Sequence, residues 1–117
     1  PFLEENGRLF VHGGFNPLVP INTQPLEFLV WDRELLYKAR QKSLLNSNFC
    51  YFGYKEIIVG HTPTQNFRSN LPLKLGNLWA LDTGAGWSGK LTMMDLETKE
   101  YWQSDLTSNL YENIVSR

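Results

Sequence analysis

The chain has 117 residues, of which 42% are hydrophobic and 14% aromatic, and this is enough apolar material for the core of one domain. The 11 basic and 12 acidic side chains give a net charge of −1, so the basic excess typical of a nucleic-acid-binding protein is absent. No apolar run is long enough to span a membrane. The single cysteine, Cys50, excludes an internal disulfide and a cysteine-based metal site, and a reducing cytoplasm is the expected location.

Three short apolar runs predict the strands of a central sheet. These strands are predicted over residues 8–12, 56–60 and 77–82. More than 40 residues separate the first two strands, and a connection of that length is typical of a parallel crossover. A hairpin is predicted further along, with strands over 90–96 and 100–105 and a polar turn at 97–99. Residues 71–76 are expected to be a loop or an irregular edge segment, and the tail from Leu106 is polar with no predicted element.

The crossover between the first two strands contains the predicted helices. Apolar residues recur at helical spacing after Pro25 and again, out of phase, from Leu35 to about Leu45. The change of phase predicts a break at residues 31–33, where Asp32 is the candidate N-cap of the second helix. About five strands with helix confined to one crossover predict an α/β fold.

Each strand of the predicted sheet is followed by a polar side chain, and these are His12, His61 and Asp82. Ligands gather at the carboxyl ends of parallel strands, so the two histidines, the only ones in the chain, are expected to face one crevice. Imidazole binds Mn, Fe and Zn, and His12 and His61 are therefore candidate ligands of one ion. A histidine at a strand end is also typical of a hydrogen-bonded surface residue. Asp82 is equally typical of a turn in which it binds the amides of Thr83 and Gly84.

Four segments of the chain resemble the calcineurin-like metallophosphoesterases, in particular the bacterial and phage type of serine/threonine protein phosphatase. They are FVHGGFNP at 10–17, VWDREL at 30–35, IIVGHTPT at 57–64 and LDTGAGWSGKLTMMDLET at 81–98. Their order and spacing match the family, and GHTP followed by the DTGA strand is the most specific feature. The resemblance implies an α/β sandwich of two mixed sheets flanked by helices. It also implies two divalent metal ions (Mn, Fe or Zn) that activate water to hydrolyse phosphate monoesters of a phosphorylated substrate.

The resemblance also implies a role for each candidate residue. His12 and His61 match two ligands of one and the same metal ion, and Arg33 matches the arginine that holds an oxygen of the substrate phosphate. Asp82 matches a structural position beside the ligands rather than a ligand. Without the resemblance, Arg33 on a helix is more typical of a solvated charge.

Three upstream motifs of the family, of the types GDxHG, GDxxDRG and GNHE, do not occur in this chain. In the family they carry the remaining metal ligands, a second phosphate-binding arginine and the general acid. We therefore expect residues 1–117 to be the C-terminal half of one metallophosphoesterase domain, without its N-terminal half and inactive alone. Such a half exposes a sheet face, so we expect it to self-associate or to pair with the missing half.

Other functions stay open at this point. A dinucleoside polyphosphate hydrolase of the same family would share these motifs, and a non-catalytic binding or assembly module would keep the fold. Four aromatic residues are candidate stacking platforms for nucleic acid, namely Trp79, Trp87, Tyr101 and Trp102. The balanced charge favours packing of these residues in the core or at a sheet edge instead. Neither nucleic acid nor a membrane is therefore an expected partner.

Overall fold

The computed structural model describes residues 2–107, in which helices pack on a mixed five-stranded sheet. The sheet contains β1 (Phe2–Glu5), β2 (Arg8–Val11), β3 (Glu56–Val59), β4 (Leu73–Leu75) and β5 (Leu78–Ala80), in the order β1-β2-β3-β5-β4. Helices α1 (Leu26–Trp31) and α2 (Glu34–Leu45) lie in the crossover from β2 to β3, and strands β6 (Thr92–Met94) and β7 (Tyr101–Gln103) form a separate hairpin. Short 3₁₀ helices cover Ile21–Thr23 and Thr64–Phe67. Within this part of the chain, no helix combines the length and the apolar composition that a bilayer crossing requires.

The parallel centre of the sheet confirms the predicted α/β class and the predicted crossover. Strand β2 pairs in parallel with β3, and β3 pairs in parallel with β5. Alternate residues of these strands face the helices, as the pleat requires, and form the core with one face of α1 and α2. The core residues of these elements are Leu9, Val11, Leu29, Leu35, Leu36, Ala39, Ile57, Val59, Leu78 and Ala80. Because the three strands are parallel, the residues that follow each of them meet at one edge of the sheet.

Two strands of the sheet were not predicted, and residues 2–107 contain seven strands rather than about five. Strand β1 pairs antiparallel with β2 through a two-residue turn at Asn6-Gly7, where both residues have positive φ (53° and 79°). Asn-Gly is a strong hairpin signal, but all four residues of β1 are exposed and show no alternation of apolar and polar side chains. Residues 71–76, expected to be a loop or an irregular edge segment, do lie at the sheet edge but contain the regular strand β4, which pairs antiparallel with β5.

The break between the helices falls at Asp32 and Arg33, as predicted. Asp32 Oδ2 accepts a hydrogen bond from the backbone N–H of Leu35 (3.1 Å), so its side chain caps the first turn of α2. The carboxylate lies close to Gly14, where a Cβ atom would overlap it. The cap therefore fixes the direction in which the chain enters α2. It also fixes the position of Arg33, which directly precedes this helix.

The β6–β7 hairpin is tied to the outer face of the sheet by a network of ion pairs. Arg8 Nε donates to Glu56 Oε1 (2.8 Å), and its Nη1 donates to Glu97 Oε1 (3.1 Å). Lys99 Nζ lies 2.9 Å from Glu56 Oε2. The polar turn at 97–99 is as predicted, whereas the flanking strands are shorter than predicted. The tail from residue 108 onward lies outside the described residues.

Candidate active site

All four candidate site residues of the sequence analysis line one pocket. It has a volume of about 630 Å³ and lies at the carboxyl ends of β2, β3 and β5. His12, Arg33, His61 and Asp82 all line this pocket, although they come from four separate segments of the chain. The parallel strands bring three of them to the same edge, and the helix break brings Arg33.

His12 is positioned by the glycine that follows it. The backbone N–H of Gly13 donates to Leu29 O (2.9 Å), so the loop after β2 rests against the C-terminal end of α1. A Cβ atom on Gly13 would lie 2.5 Å from Val30 O, which no ordinary side chain tolerates. Because Gly13 has no side chain, the loop after β2 can lie close to the backbone of the helix break. This contact places His12 near the segment that contains Arg33.

His61 occupies a strained turn directly after β3. Its φ is +64°, and Thr62 N donates across it to Gly60 O (2.6 Å). A three-residue turn with positive φ at its centre is rare and costs free energy, and such strain persists mainly at functional sites. The Nε2 atom of His61 is buried and has no hydrogen-bond partner among residues 2–107. Strain and an unpaired ring nitrogen at one residue favour a role in ligand binding over a structural role.

The two imidazoles face each other at a distance that fits a shared ion. The ring centroids of His12 and His61 are 5.0 Å apart and tilted by 48°. Two imidazoles that bind one tetrahedral ion at about 2.1 Å place their ring centroids about 5 Å apart. The ring of Trp31 packs edge to face with that of His61, with 5.4 Å between the two ring centroids. The unpaired Nε2 of His61 fits the same ion, which would satisfy it.

Two imidazoles are nevertheless an incomplete ligand set. Among the described residues, no group of three or more His, Cys, Asp or Glu side chains is placed to hold an ion. Even a catalytic zinc site with an open position takes three ligands from the protein. A stable metal centre at this pocket therefore needs ligands beyond those that residues 2–107 supply.

The electrostatics of the pocket keep His61 neutral. Burial lowers the pKa of His61, and the nearby Arg33 and His12 lower it further, whereas Asp82 acts in the opposite direction. Neutral imidazole is the form that binds a metal ion. The imidazole of His61 is therefore neutral at neutral pH, and it does not have to lose a proton before it can bind a metal ion.

Asp82 shapes the turn that forms the wall of the pocket. Its Oδ1 accepts a hydrogen bond from the backbone N–H of Gly84 (2.9 Å), which is a common turn geometry for aspartate. Its carbonyl oxygen accepts a hydrogen bond from Thr64 N (2.8 Å) and so connects this turn to the GHTP segment. The Asp82 carboxylate therefore stabilises the backbone of this turn. His12 and His61 remain the two candidate metal ligands in the pocket.

The structure adds three residues that the sequence analysis did not assign to the site. Trp31, Trp87 and Lys90 also line the pocket. Lys90 adds a second cation to Arg33 in the lining of the pocket, and among the described residues the acid in this lining is Asp82. Two signals in the sequence could have found them: Trp31 lies two residues before Arg33 in the WDR segment, and Lys90 lies in the segment after the DTGA turn.

The four aromatic residues were expected to pack in the core or at a sheet edge, and this is wrong for Trp87. Trp87, Tyr101 and Trp102 are exposed, and Trp79 is half-buried. Tyr101 and Trp102 lie on the two-stranded hairpin, which has too few strands to bury both of its faces. Trp87 lies on the pocket wall instead of in the core.

The pocket combines two facing imidazoles, two cations and exposed indoles. This set of groups suits an anionic ligand, because a guanidinium and an ammonium beside each other favour phosphate or carboxylate oxygens. A comparison of the chain with models of known protein families and with curated proteins finds no match.

Proposed function

We propose that this chain provides part of the active site of a metal-dependent phosphoesterase related to the calcineurin-like metallophosphoesterases of bacterial and phage phosphatase type. The observation that carries the proposal is the convergence of His12, Arg33 and His61 on one pocket at the carboxyl ends of parallel strands. Each residue comes from a different one of the segments that resemble the family. Under this proposal the five-stranded sheet is one of the two mixed sheets of that family's sandwich, and the remaining ligands come from the N-terminal half.

His12 and His61 hold one divalent ion through their imidazole nitrogens. The 5.0 Å separation of their rings and the unpaired Nε2 of His61 support this role. An ion bound there (Mn, Fe or Zn) would supply Lewis acidity and would activate water for in-line attack on phosphorus. The positive φ of His61 and the edge-to-face packing of Trp31 with its ring are the local features that accompany this role.

Arg33 binds the phosphate group of the substrate. Its guanidinium can donate two parallel hydrogen bonds to phosphate oxygens, which fixes both the position and the orientation of the ester. Lys90 lines the same pocket and adds a compact positive charge for the oxygens that become more negative in the transition state. The substrate that fits these groups is a phosphate monoester.

Manganese titration tests the metal site directly. Two ligands hold Mn²⁺ only weakly, but paramagnetic Mn²⁺ added to the 117-residue chain should still broaden the ring-proton NMR signals of His12 and His61 together, because the rings lie 5.0 Å apart. His12→Ala and His61→Ala should each weaken Mn²⁺ binding. Cys50→Ser removes an exposed thiol that does not line this pocket and should leave the titration unchanged. Mn²⁺ affinity that is equal in all four proteins would contradict the assignment.

Phosphate titration tests the role of Arg33 with a matched control. Arg33→Ala should weaken binding of inorganic phosphate by about tenfold or more, since a charge-assisted hydrogen bond contributes about 1.5–3 kcal/mol. Arg40 is a second arginine of the same crossover, on α2, and it does not line the pocket. Arg40→Ala should bind phosphate as the unchanged chain does. Equal losses in the two variants would show that Arg33 acts only through overall charge.

A further inference from the structure

A second cavity adjoins the proposed phosphate site. It has a volume of about 240 Å³ and shares Arg33 and Trp87 with the larger pocket. The rest of its wall comprises the polar residues Gln65, Asn66 and Ser88 together with Pro63, Gly84 and Gly89. A phosphate ester held by Arg33 therefore has room for its organic part directly beside the phosphate.

Trp87 is an exposed indole on an anchored backbone. The side chain is 53% exposed, so it is not held in place by the core. Its backbone N–H donates to Gly84 O (2.9 Å), and its carbonyl accepts a hydrogen bond from Thr107 Oγ1 (3.0 Å). A large aromatic surface that is fixed at its backbone and open to a cavity is a typical platform for a planar ligand.

The loop that contains Trp87 is held in place by Gln65, which also lines the cavity. Gln65 Nε2 donates to Thr83 O (2.8 Å), just before the loop begins. A Cβ atom on Gly84 would lie 2.8 Å from Gln65 Oε1, and one on Gly89 would lie 2.6 Å from Gln65 Nε2. Glycine at both positions lets the loop close tightly on the Gln65 amide. The cavity is therefore built by specific contacts and exists before a ligand binds.

We propose that this cavity binds the leaving group of the phosphate ester and that Trp87 selects a planar aromatic leaving group by stacking on it. The proposal rests on the proposed function, because the phosphate at Arg33 decides which end of the ester reaches the cavity. The shared chemistry is an aromatic ring with polar edges, which occurs both in a nucleobase and in a tyrosyl phosphate. The amides of Gln65 and Asn66 and the hydroxyl of Ser88 line the cavity as hydrogen-bonding groups for such edges.

The test compares monoesters that carry the same phosphate. Dissociation constants of phenyl phosphate, ethyl phosphate and inorganic phosphate are measured by calorimetry on the 117-residue chain. We expect phenyl phosphate to bind about 3- to 10-fold more tightly than ethyl phosphate, as one aromatic stack allows. Adenosine 5′-monophosphate against ribose 5-phosphate, and O-phosphotyrosine against O-phosphoserine, then identify which ring is preferred. A preference in either pair supports the proposal.

Variants assign the preference to one indole. Trp87→Leu should abolish the preference for the aromatic ester, and Trp87→Phe should retain part of it. Trp102 is similarly exposed (57%) and lines neither cavity, so Trp102→Leu should behave as the unchanged chain. A preference that survives in Trp87→Leu, or equal affinities for phenyl and ethyl phosphate, would overturn the aromatic subsite alone. Failure to bind inorganic phosphate would overturn the phosphate site, and the subsite with it.

Discussion

Replacing Gly13 by alanine changes the contact that sets the loop after β2 against helix α1. The added Cβ would lie 2.5 Å from Val30 O, 2.8 Å from Asp32 O and 2.9 Å from the carbonyl carbon of Val30. All three are backbone atoms, so no side-chain rotation relieves the overlap. Ordinary contact begins at 3.4 Å, and the loop and the helix end must therefore move apart by about 0.9 Å.

This separation has an estimable cost. Overpacking of a close contact destabilises a protein by about 1–3 kcal/mol. The movement also stretches the 2.9 Å hydrogen bond from Gly13 N to Leu29 O, and a bond of this kind contributes about 1 kcal/mol. We expect the free energy of unfolding to fall by about 2–4 kcal/mol. Because His12 precedes Gly13, the same movement should also weaken binding of Mn²⁺ by the two histidines.

Urea unfolding followed by tryptophan fluorescence measures the change, and Gly60→Ala is the matched control. A Cβ on Gly60 would lie 3.6 Å from His12 O, an ordinary contact at the same edge of the sheet. We expect this control to change the free energy of unfolding by no more than about 0.5 kcal/mol. Equal stability of the Gly13 and Gly60 variants would refute the close-approach argument.

Three further predictions concern stability. Asn77→Ala should lower the free energy of unfolding by about 2–4 kcal/mol in urea, because its buried amide makes three hydrogen bonds to the backbone of residues 51–54. Burial raises the pKa of Glu56, but hydrogen bonds from Lys99 and Arg8 outweigh it and the pKa lies below its ordinary value. The stability that this ionised carboxylate contributes is present above about pH 4.3 and is lost as the pH falls through the lowered pKa, so Glu56→Gln should flatten the acid side of a stability–pH profile. Asp32→Ala removes the cap of α2 and should cost about 1 kcal/mol in thermal unfolding, whereas Asp32→Asn should retain most of the cap.

Local patterns in the sequence were sufficient to predict the frame of the candidate site. The apolar runs before His12 and His61 predict strands β2 and β3, and the long crossover predicts their parallel pairing. The phase change at Asp32 predicts the helix break that presents Arg33. These features depend on hydrophobic periodicity, capping and connection length, which act over a few residues or through chain length alone.

Pairing between distant segments could not be read from the same patterns. Strand β1 has no buried residue, and its structure depends on the ladder with β2 rather than on its own side chains. The short strand β4 likewise forms through its pairing with β5. A strand of three or four residues carries too little periodicity to be distinguished from a loop, because its stability comes from the neighbouring strand.

The sequence by itself therefore determined which residues end the strands and break the helices, and hence that His12 and His61 were candidates. Arg33 was a candidate only through the resemblance of the WDRE segment to the phosphoesterase family. Only the tertiary structure decided that the rings of His12 and His61 lie 5.0 Å apart and that Lys90 and Trp87 line the same pocket. It also decided that the Nε2 of His61 is buried with no hydrogen-bond partner among residues 2–107. The physical reason is that these properties depend on distances between segments tens of residues apart. Such distances are set by the packing of the helices on the sheet and by close backbone approaches such as that at Gly13.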